Sequence, residues 1–466
     1  MTILDFHEKI KSGKASAREL VLGYLEKIKK ENKTLNAYLE VFEEDAIVQA
    51  KKIDERIASG ETPGILWGIP VAVKDNILLE GKVTSSASKI LENYRASYTA
   101  TAIKKLQEAG AIILGRANMD EFAMGASTEN SAYGPTKNPL DHTRVPGGSS
   151  GGSVAAVAAD LAVLGLGSET GGSVRQPAAF CGVVGLKPTY GAVSRHGLMA
   201  LASSLDQIGP IAKTVGDSKI LFDVIKGKDE FDATSHKPEV VSRKLVKKIG
   251  IPKEYFEEGL DERIKKSIDN LIKRLEKNYE IRHVSLPHTK YAIPCYYIIV
   301  PAEASSNLAR YDGIRYGMQK KAEDILGVYE KSRGAGFGKE PTRRILLGTY
   351  VLSAGYYDAY YAKAEKVRSL IKEDFKKVFE EVDVLLTPST PTLPFKFGEK
   401  AKDPVSMYLA DIYTCPANLA GIPALSQPID WVEEDRKNLP ISAQLMAPHF
   451  EEERLFEVGE HIEKML

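Results

Sequence analysis

The chain has 466 residues, enough for about two to four ordinary domains or one large α/β unit. Lys and Arg total 63 and Asp and Glu total 63, so no excess charge draws the chain itself onto nucleic acid or a membrane surface. Its three cysteines, Cys181, Cys295 and Cys415, form no C-x-x-C pair, which argues against a disulfide scaffold or a zinc site and fits a reducing cytoplasm. The opening MTILDFHEKIKSGK lacks the apolar core of a signal peptide, and no apolar run reaches the roughly 18 residues of a membrane span.

In chain order, SARELVLGYLEKIKK opens with Ser16 as helix N-cap and Glu19 three residues on, a capping box, and Leu20, Tyr24, Leu25 and Ile28 mark one helical face. YLEVFEEDAIVQAKKIDERIASG is either a second helix or a strand leading into one, ended by Gly60. GIPVAVKDNI is short, β-branched and bounded by Gly68 and Pro70, a strand. TAIKKLQEAGAIILGRAN reads as helix, glycine turn and strand, VAAVAAD as a buried helix and LAVLGLG as a buried strand. This alternation, sustained to about residue 215, predicts a mixed α/β sheet covered by helices. Charge then grows denser: DERIKKSIDNLIKRLEKN is an amphipathic helix, and the tyrosine-rich run from Gly336 to Glu381 is expected to be one long helical stretch. VDVLLTPSTP returns as a strand, and the C-terminal part supplies further short strands. With no repeat or linker in sight, one domain over 1–466 is expected. Its parts are a helical segment about 1–60, a core about 65–215, a more helical insertion about 216–380 and a sheet-completing part about 381–466.

Two small-residue clusters interrupt this pattern: PGGSSGGS, Pro146 to Ser153, and SETGGS, Ser168 to Ser173. Each borders an apolar core element, unlike a Gly/Ser linker, which runs between polar segments. GSSGG matches the G-x-S-x-G nucleophile elbow with Ser150 as nucleophile, but the preceding NPLDHTRVPG is polar rather than a buried strand, and no histidine stands in a triad context. No phosphate loop of the G-x-x-x-x-G-K-[ST] form is present. In TGGS the glycines let backbone N–H groups converge, as an oxyanion hole requires, with Ser173 as an acyl-accepting nucleophile. Lys74, at the end of a strand read as buried, is its candidate base: burial disfavours an ammonium and leaves a neutral amine near pH 7. Taken alone, Lys74 reads better as a lysine snorkelling from a strand end.

Together, VAVKDNI, PGGSSGGS and GSETGGSVRQPAAFCGVVGLKPT resemble the amidase signature family. The resemblance implies a Ser–cis-Ser–Lys triad without histidine: Lys74 as base, Ser149 as bridging serine after a cis Gly148–Ser149 peptide, and Ser173 as nucleophile. The backbone of Thr170, Gly171, Gly172 and Ser173 would form the oxyanion hole. Such a relay is chemically coherent, because Ser173 can pass its proton through Ser149 to Lys74, and the lysine can return one to departing ammonia.

Beyond the signature, the segments Ser203–Pro210, Ser305–Gly317, Gly336–Tyr361 and Met407–Ala424 are similar to the tRNA-dependent amidotransferase members of that family. That likeness implies a subunit that hydrolyses glutamine and channels ammonia to partners B and C of a heterotrimer, where Glu-tRNA(Gln) or Asp-tRNA(Asn) is amidated. ATP, Mg and most tRNA contacts would belong to the partners, with no cofactor or metal in this chain. It also implies that Arg344, beside the alternative Arg343, grips an α-carboxylate, that Asp411 takes an α-amino group, and that Tyr296 lines the pocket. The rival enzyme reading is a stand-alone amidase acting on a small amide.

Overall fold

The computed structural model describes residues 1–236, 245–257, 259–400 and 403–466. Its frame is an eleven-stranded mixed sheet. The strands are β1 (Tyr38–Val41), β2 (Pro70–Lys74), β3 (Ile112–Ala117), β4 (Leu164–Glu169), β5 (Val184–Lys187), β6 (Gln207–Ala212), β7 (Lys248–Pro252), β8 (Glu280–Val284), β9 (Val384–Pro388), β10 (Ala424–Glu434) and β11 (Lys437–Met446). They lie in the order β1-β3-β2-β4-β6-β5-β10-β11-β9-β7-β8. Pairing is parallel where β2 meets β3 and β4 and where β7 meets β8 and β9, and antiparallel elsewhere. Helices from both halves of the chain pack against the strands. The inner strands β2, β4 and β6 are buried at every residue, which explains their apolar runs without alternation.

Strand order positions the chemistry. β2 runs parallel to β4, with Val73 opposite Leu166, so both strands release their carboxyl ends at one edge of the sheet. Lys74 closes β2 there, and Ser168 and Glu169 close β4. Such carboxyl-end crevices are where open α/β sheets carry their ligands.

The helix predicted from SARELVLGYLEKIKK carries its capping box: Ser16 Oγ accepts the Glu19 N–H at 3.1 Å, and the Glu19 carboxylate accepts the Ser16 N–H at 2.8 Å. Tyr24, Leu25 and Ile28 are buried and Leu20 is half-buried. Of the two readings of YLEVFEED, the strand entering a helix is present, as β1 followed by the helix Glu43–Ala58.

Three expectations change. The run from Gly336 to Glu381 is two helices, Lys339–Val351 and Tyr361–Glu381, parted by turns in which Gly355 adopts φ +86. A left-handed residue cannot continue a right-handed helix. The stretch read as a helical insertion contributes β7 and β8, joined by the amphipathic helix Glu262–Leu275. Charged edge residues such as Glu280 and Arg282 in β8 hid its strand character, as charges on edge strands do. The C-terminal strands are long, not short: β10 and β11 span 11 and 10 residues and form a hairpin. Its turn residues Asp435 and Arg436 both have positive φ, the conformation that two-residue hairpin turns demand.

Ser16→Ala removes the cap acceptor, so chemical denaturation should show a loss of about 1 kcal/mol. The sheet and the distant site should be untouched, and near-UV circular dichroism should remain that of the wild type.

Candidate active site

The buried centre begins with Lys74. It is fully buried at the end of β2, and Nζ donates to Ser149 Oγ at 2.7 Å, Ser150 Oγ at 2.8 Å and the Ser168 carbonyl at 3.0 Å. Burial pushes its pKa down to about 7, opposed by the carboxylates of Asp120, Asp206 and Glu169. A lysine so placed is available as a neutral base.

The PGGSSGGS loop wraps this amine. The Gly148–Ser149 peptide is cis, as the resemblance implied. Gly148 has to be glycine, because a Cβ there would collide with Asp120 Oδ2. Asp120 organises the loop from below, accepting the N–H groups of Thr128 and Asn130 at 2.9 and 3.1 Å while its own N–H donates to the Ser149 carbonyl at 3.2 Å. Burial pushes its carboxyl up to about 6. The helix Gly151–Ala158 follows at once and packs against β2 and β4.

Ser150, the elbow candidate, is fully buried, and its hydroxyl is bound to Lys74 and to the Ser168 carbonyl, the latter at 3.1 Å. Its N–H holds the Ser173 carbonyl at 3.1 Å. Ser149 is likewise fully buried, whereas Ser173 keeps 7% exposure. Ser173 is therefore the least buried of the three serines. The structure brings Lys74, Ser149 and Ser150 into direct contact and draws Ser173 to the same loop through its backbone. Among the described residues no hydrogen bond joins the Ser149 and Ser173 hydroxyls.

The TGGS segment is fixed by its carbonyls and side chains. Thr414 Oγ1 donates to the Gly171 carbonyl at 2.7 Å, and the Gln176 N–H donates to the Gly172 carbonyl at 2.8 Å. Thr170 Oγ1 donates to Asp206 Oδ1 at 2.7 Å. Among the described residues the N–H groups of Gly171, Gly172 and Ser173 have no acceptor within the chain, as an oxyanion hole needs. A buried ion pair braces the segment. Glu169 accepts Arg175 Nε at 2.8 Å and the N–H groups of Val174 and Arg175 at 3.0 and 3.1 Å, and Arg175 reaches on to the Thr414 carbonyl at 2.9 Å and Asn418 Oδ1 at 2.6 Å.

Of the other predicted residues, Tyr296 and Asp411 meet this loop, and Arg344 lies against Tyr297 and Tyr408. A Cβ on Gly171 would lie 2.6 Å from the Tyr296 ring, and one on Gly172 would lie 2.9 Å from Asp411 Oδ1. Both glycines are thus contact points for the pocket wall. Asp411 is buried, and its Oδ1 has no partner among the described residues. Burial and Glu169 push its carboxyl up to about 8, with Arg344 and Arg175 opposing. Of the two arginine candidates, Arg344 is 4% exposed while the Arg343 side chain is 50% exposed. Arg344 donates Nε to Glu340 at 2.8 Å and packs on Tyr297 and Tyr408.

Sequence reading missed the supporting set: Asp120, Glu169, Arg175, Asp206 and Thr414. Glu169, Arg175, Asp206 and Thr414 stand inside the recognised segments, but a linear pattern does not say which side chains fold back onto a loop. His142, the histidine nearest the first cluster, is exposed, and no histidine hydrogen-bonds Lys74 or Ser149.

A family model described as amidase matches residues 19–456. The A-subunit of glutamyl-tRNA(Gln) amidotransferase of Carboxydothermus hydrogenoformans is 56% identical over 469 aligned positions, covering 99% of this chain and 96% of that protein. The crystal structure of the corresponding glutamyl-tRNA(Gln) amidotransferase A-subunit from Thermotoga maritima is 43% identical with a TM-score of 0.80, covering 100% of this chain and 94% of that one. The native peptide amidase from Stenotrophomonas maltophilia is 26% identical with a TM-score of 0.81, covering 100% of this chain and 96% of that one. With a buried lysine on paired serines beside a glycine-built loop, and matches of this extent, the chain belongs to the amidase family.

Proposed function

We propose that this chain is the glutamine-hydrolysing subunit of a tRNA-dependent amidotransferase. The observation that carries the reading is a buried acid, Asp411, at the glycine loop, with a buried arginine, Arg344, packed on Tyr297 next to the pocket residue Tyr296. A small amide needs neither. A free amino acid needs both, because its ammonium and carboxylate must each lose water to enter. The unpartnered Oδ1 of Asp411 suits an incoming ammonium, and the guanidinium of Arg344 suits a bidentate carboxylate. Tyr296 closes the wall beside Gly171.

In this mechanism Ser173 attacks the carboxamide carbon of glutamine. Its proton moves to Ser149 as Ser149 gives its own to neutral Lys74. The N–H groups of the Thr170–Ser173 segment receive the oxyanion; a single donor of this kind is worth about a hundredfold or more in rate. The relay then runs backward, Lys74 supplying the proton with which ammonia departs and leaving a glutamyl ester on Ser173. Water repeats the sequence to release glutamate. The relay requires Ser173 Oγ to swing onto Ser149 when substrate binds.

The ammonia would pass to the partners B and C for amidation of Glu-tRNA(Gln) or Asp-tRNA(Asn). Equal numbers of acidic and basic residues, 63 each, support leaving tRNA, ATP and Mg to those partners. Among the described residues no helix is long and apolar enough to cross a membrane, and a cytoplasmic setting, where translation enzymes work, completes the reading. The alternative, a stand-alone amidase, draws on the likeness to the peptide amidase.

Ser173→Ala should abolish glutamine hydrolysis and any acyl-enzyme seen by mass spectrometry, whereas Ser150→Ala should retain measurable turnover. A dead Ser150 variant beside an active Ser173 variant would restore the elbow.

The pH profile follows from two signs. Lys74 works only unprotonated and Asp411 binds an ammonium only as a carboxylate, so both demand proton loss. Steady-state kcat/KM for glutamine should climb from roughly pH 6 to pH 8, and Asp411→Asn should leave a single step near the Lys74 value. A falling limb across that range would contradict both assignments.

Lys74→Ala should remove glutamine-dependent amidation by the assembled enzyme and spare amidation fed by ammonium chloride, at a stability cost of about 1–3 kcal/mol. Loss of both activities in a folded, assembled variant would show that Lys74 is no dedicated amide-cleaving base.

A further inference from the structure

Glu340 sits in the helix Lys339–Val351 at i, i+3 and i+4 spacing from Arg343 and Arg344, and it is 8% exposed. Its Oε1 accepts Arg344 Nε at 2.8 Å and lies 3.4 Å from the Tyr408 hydroxyl that donates to it; its Oε2 pairs with Arg343. Tyr408 stacks on Tyr297 with ring centroids 3.7 Å apart, and the Arg344 guanidinium rests 4.8 and 5.3 Å from the Tyr297 and Tyr408 centroids. Nothing in the mechanism above uses Glu340 or Arg343.

We propose that Glu340 and Arg343 form a positioning pair that turns the outer edge of Arg344 toward an amino-acid carboxylate and keeps its charge available. The inference rests on the reading of Arg344 as the carboxylate ligand. A guanidinium offers a carboxylate two forked edges, one through Nε and one through its two Nη groups. Glu340 occupies Nε, and neither Nη of Arg344 has a partner among the described residues. The Nη edge is the one left open, and the stacked tyrosines restrain the plane in which it lies.

Charge creates the need for Arg343. Glu340 and Arg344 alone sum to zero, and a second carboxylate arriving on Arg344 would meet the negative charge of the first. Arg343, on the other oxygen of Glu340, returns the group to a net single positive charge. The adjacent arginines of the sequence thus divide the work: the buried one would touch substrate and the half-exposed one offsets the acid that aims it. Through Tyr408, three residues before Asp411, the same carboxylate also ties the amine end of the pocket to the carboxylate end.

The test is steady-state glutamine hydrolysis by the full-length chain and its variants. Arg343→Gln should raise KM about threefold with kcat little changed, the size a half-exposed ion pair supports. Glu340→Gln keeps an oxygen for Nε but removes the charge, so the double variant Glu340→Gln/Arg343→Gln should return KM to within about twofold of wild type. Glu340→Ala, which removes the aiming oxygen, should raise KM about tenfold with kcat within about twofold. Should Glu340→Ala fail to fold, the Arg343 and double variants still decide. An unchanged KM in Arg343→Gln, or a double variant no better than Arg343→Gln, overturns the pairing. Arg344→Lys separates the two layers: an unchanged KM there removes Arg344 as the carboxylate ligand. A raised KM there with a silent Arg343→Gln removes the present inference alone.

Discussion

The site depends on removing one lysine from water. With Nζ enclosed by Ser149, Ser150 and the Ser168 carbonyl, the ammonium form loses its hydration and the amine becomes a usable base. A neutral amine has two N–H groups and one lone pair. Ser168 and Ser150 can take the two N–H groups, which leaves the lone pair for the Ser149 hydroxyl, the direction a proton relay requires. This enclosure exists only because β2 and β4 are neighbours and end together, and because the loop between them is built of residues small enough to fold over a side chain.

A relay of weak acids and bases needs fixed geometry, and the buried ion pair of Glu169 and Arg175 provides it. The pair clamps the TGGS segment from behind and reaches Thr414, whose hydroxyl holds the Gly171 carbonyl in front. Removing one partner of such a pair typically costs about 3–5 kcal/mol, because the other is left charged and dry. Backbone donors held this firmly would need no rearrangement as charge developed on a substrate oxygen. Asp206 completes the brace through Thr170.

The chemistry and the recognition proposed above draw on different parts of the chain. Lys74, the two serine loops and their braces lie mostly in the first half, on the side of the sheet that includes β2, β4 and β6. Tyr296, Arg344 and Asp411 come from later helices and turns, with Tyr296 and Asp411 against the glycines of the second loop.

The mixed α/β class, the buried strand ending at Lys74, the first capping box and the two glycine clusters were all legible in the residues alone. Each rests on local rules of periodicity, capping and backbone freedom that act within a few residues. The residues alone made Ser173 and Lys74 candidates, and the lysine–serine triad was implied by the resemblance to the amidase signature family. The remainder waited on the folded chain. β7 and β8 and the long C-terminal hairpin owe their strand character to partners far away in the chain, and the break at Gly355 to a single left-handed residue within a helical pattern. Burial separates Arg344 from its half-exposed neighbour, sets Ser150 against Lys74 and leaves Ser173 the least buried of the three serines. Hydration and charge pairing depend on what the rest of the chain packs around a residue, and no spacing within a motif encodes that.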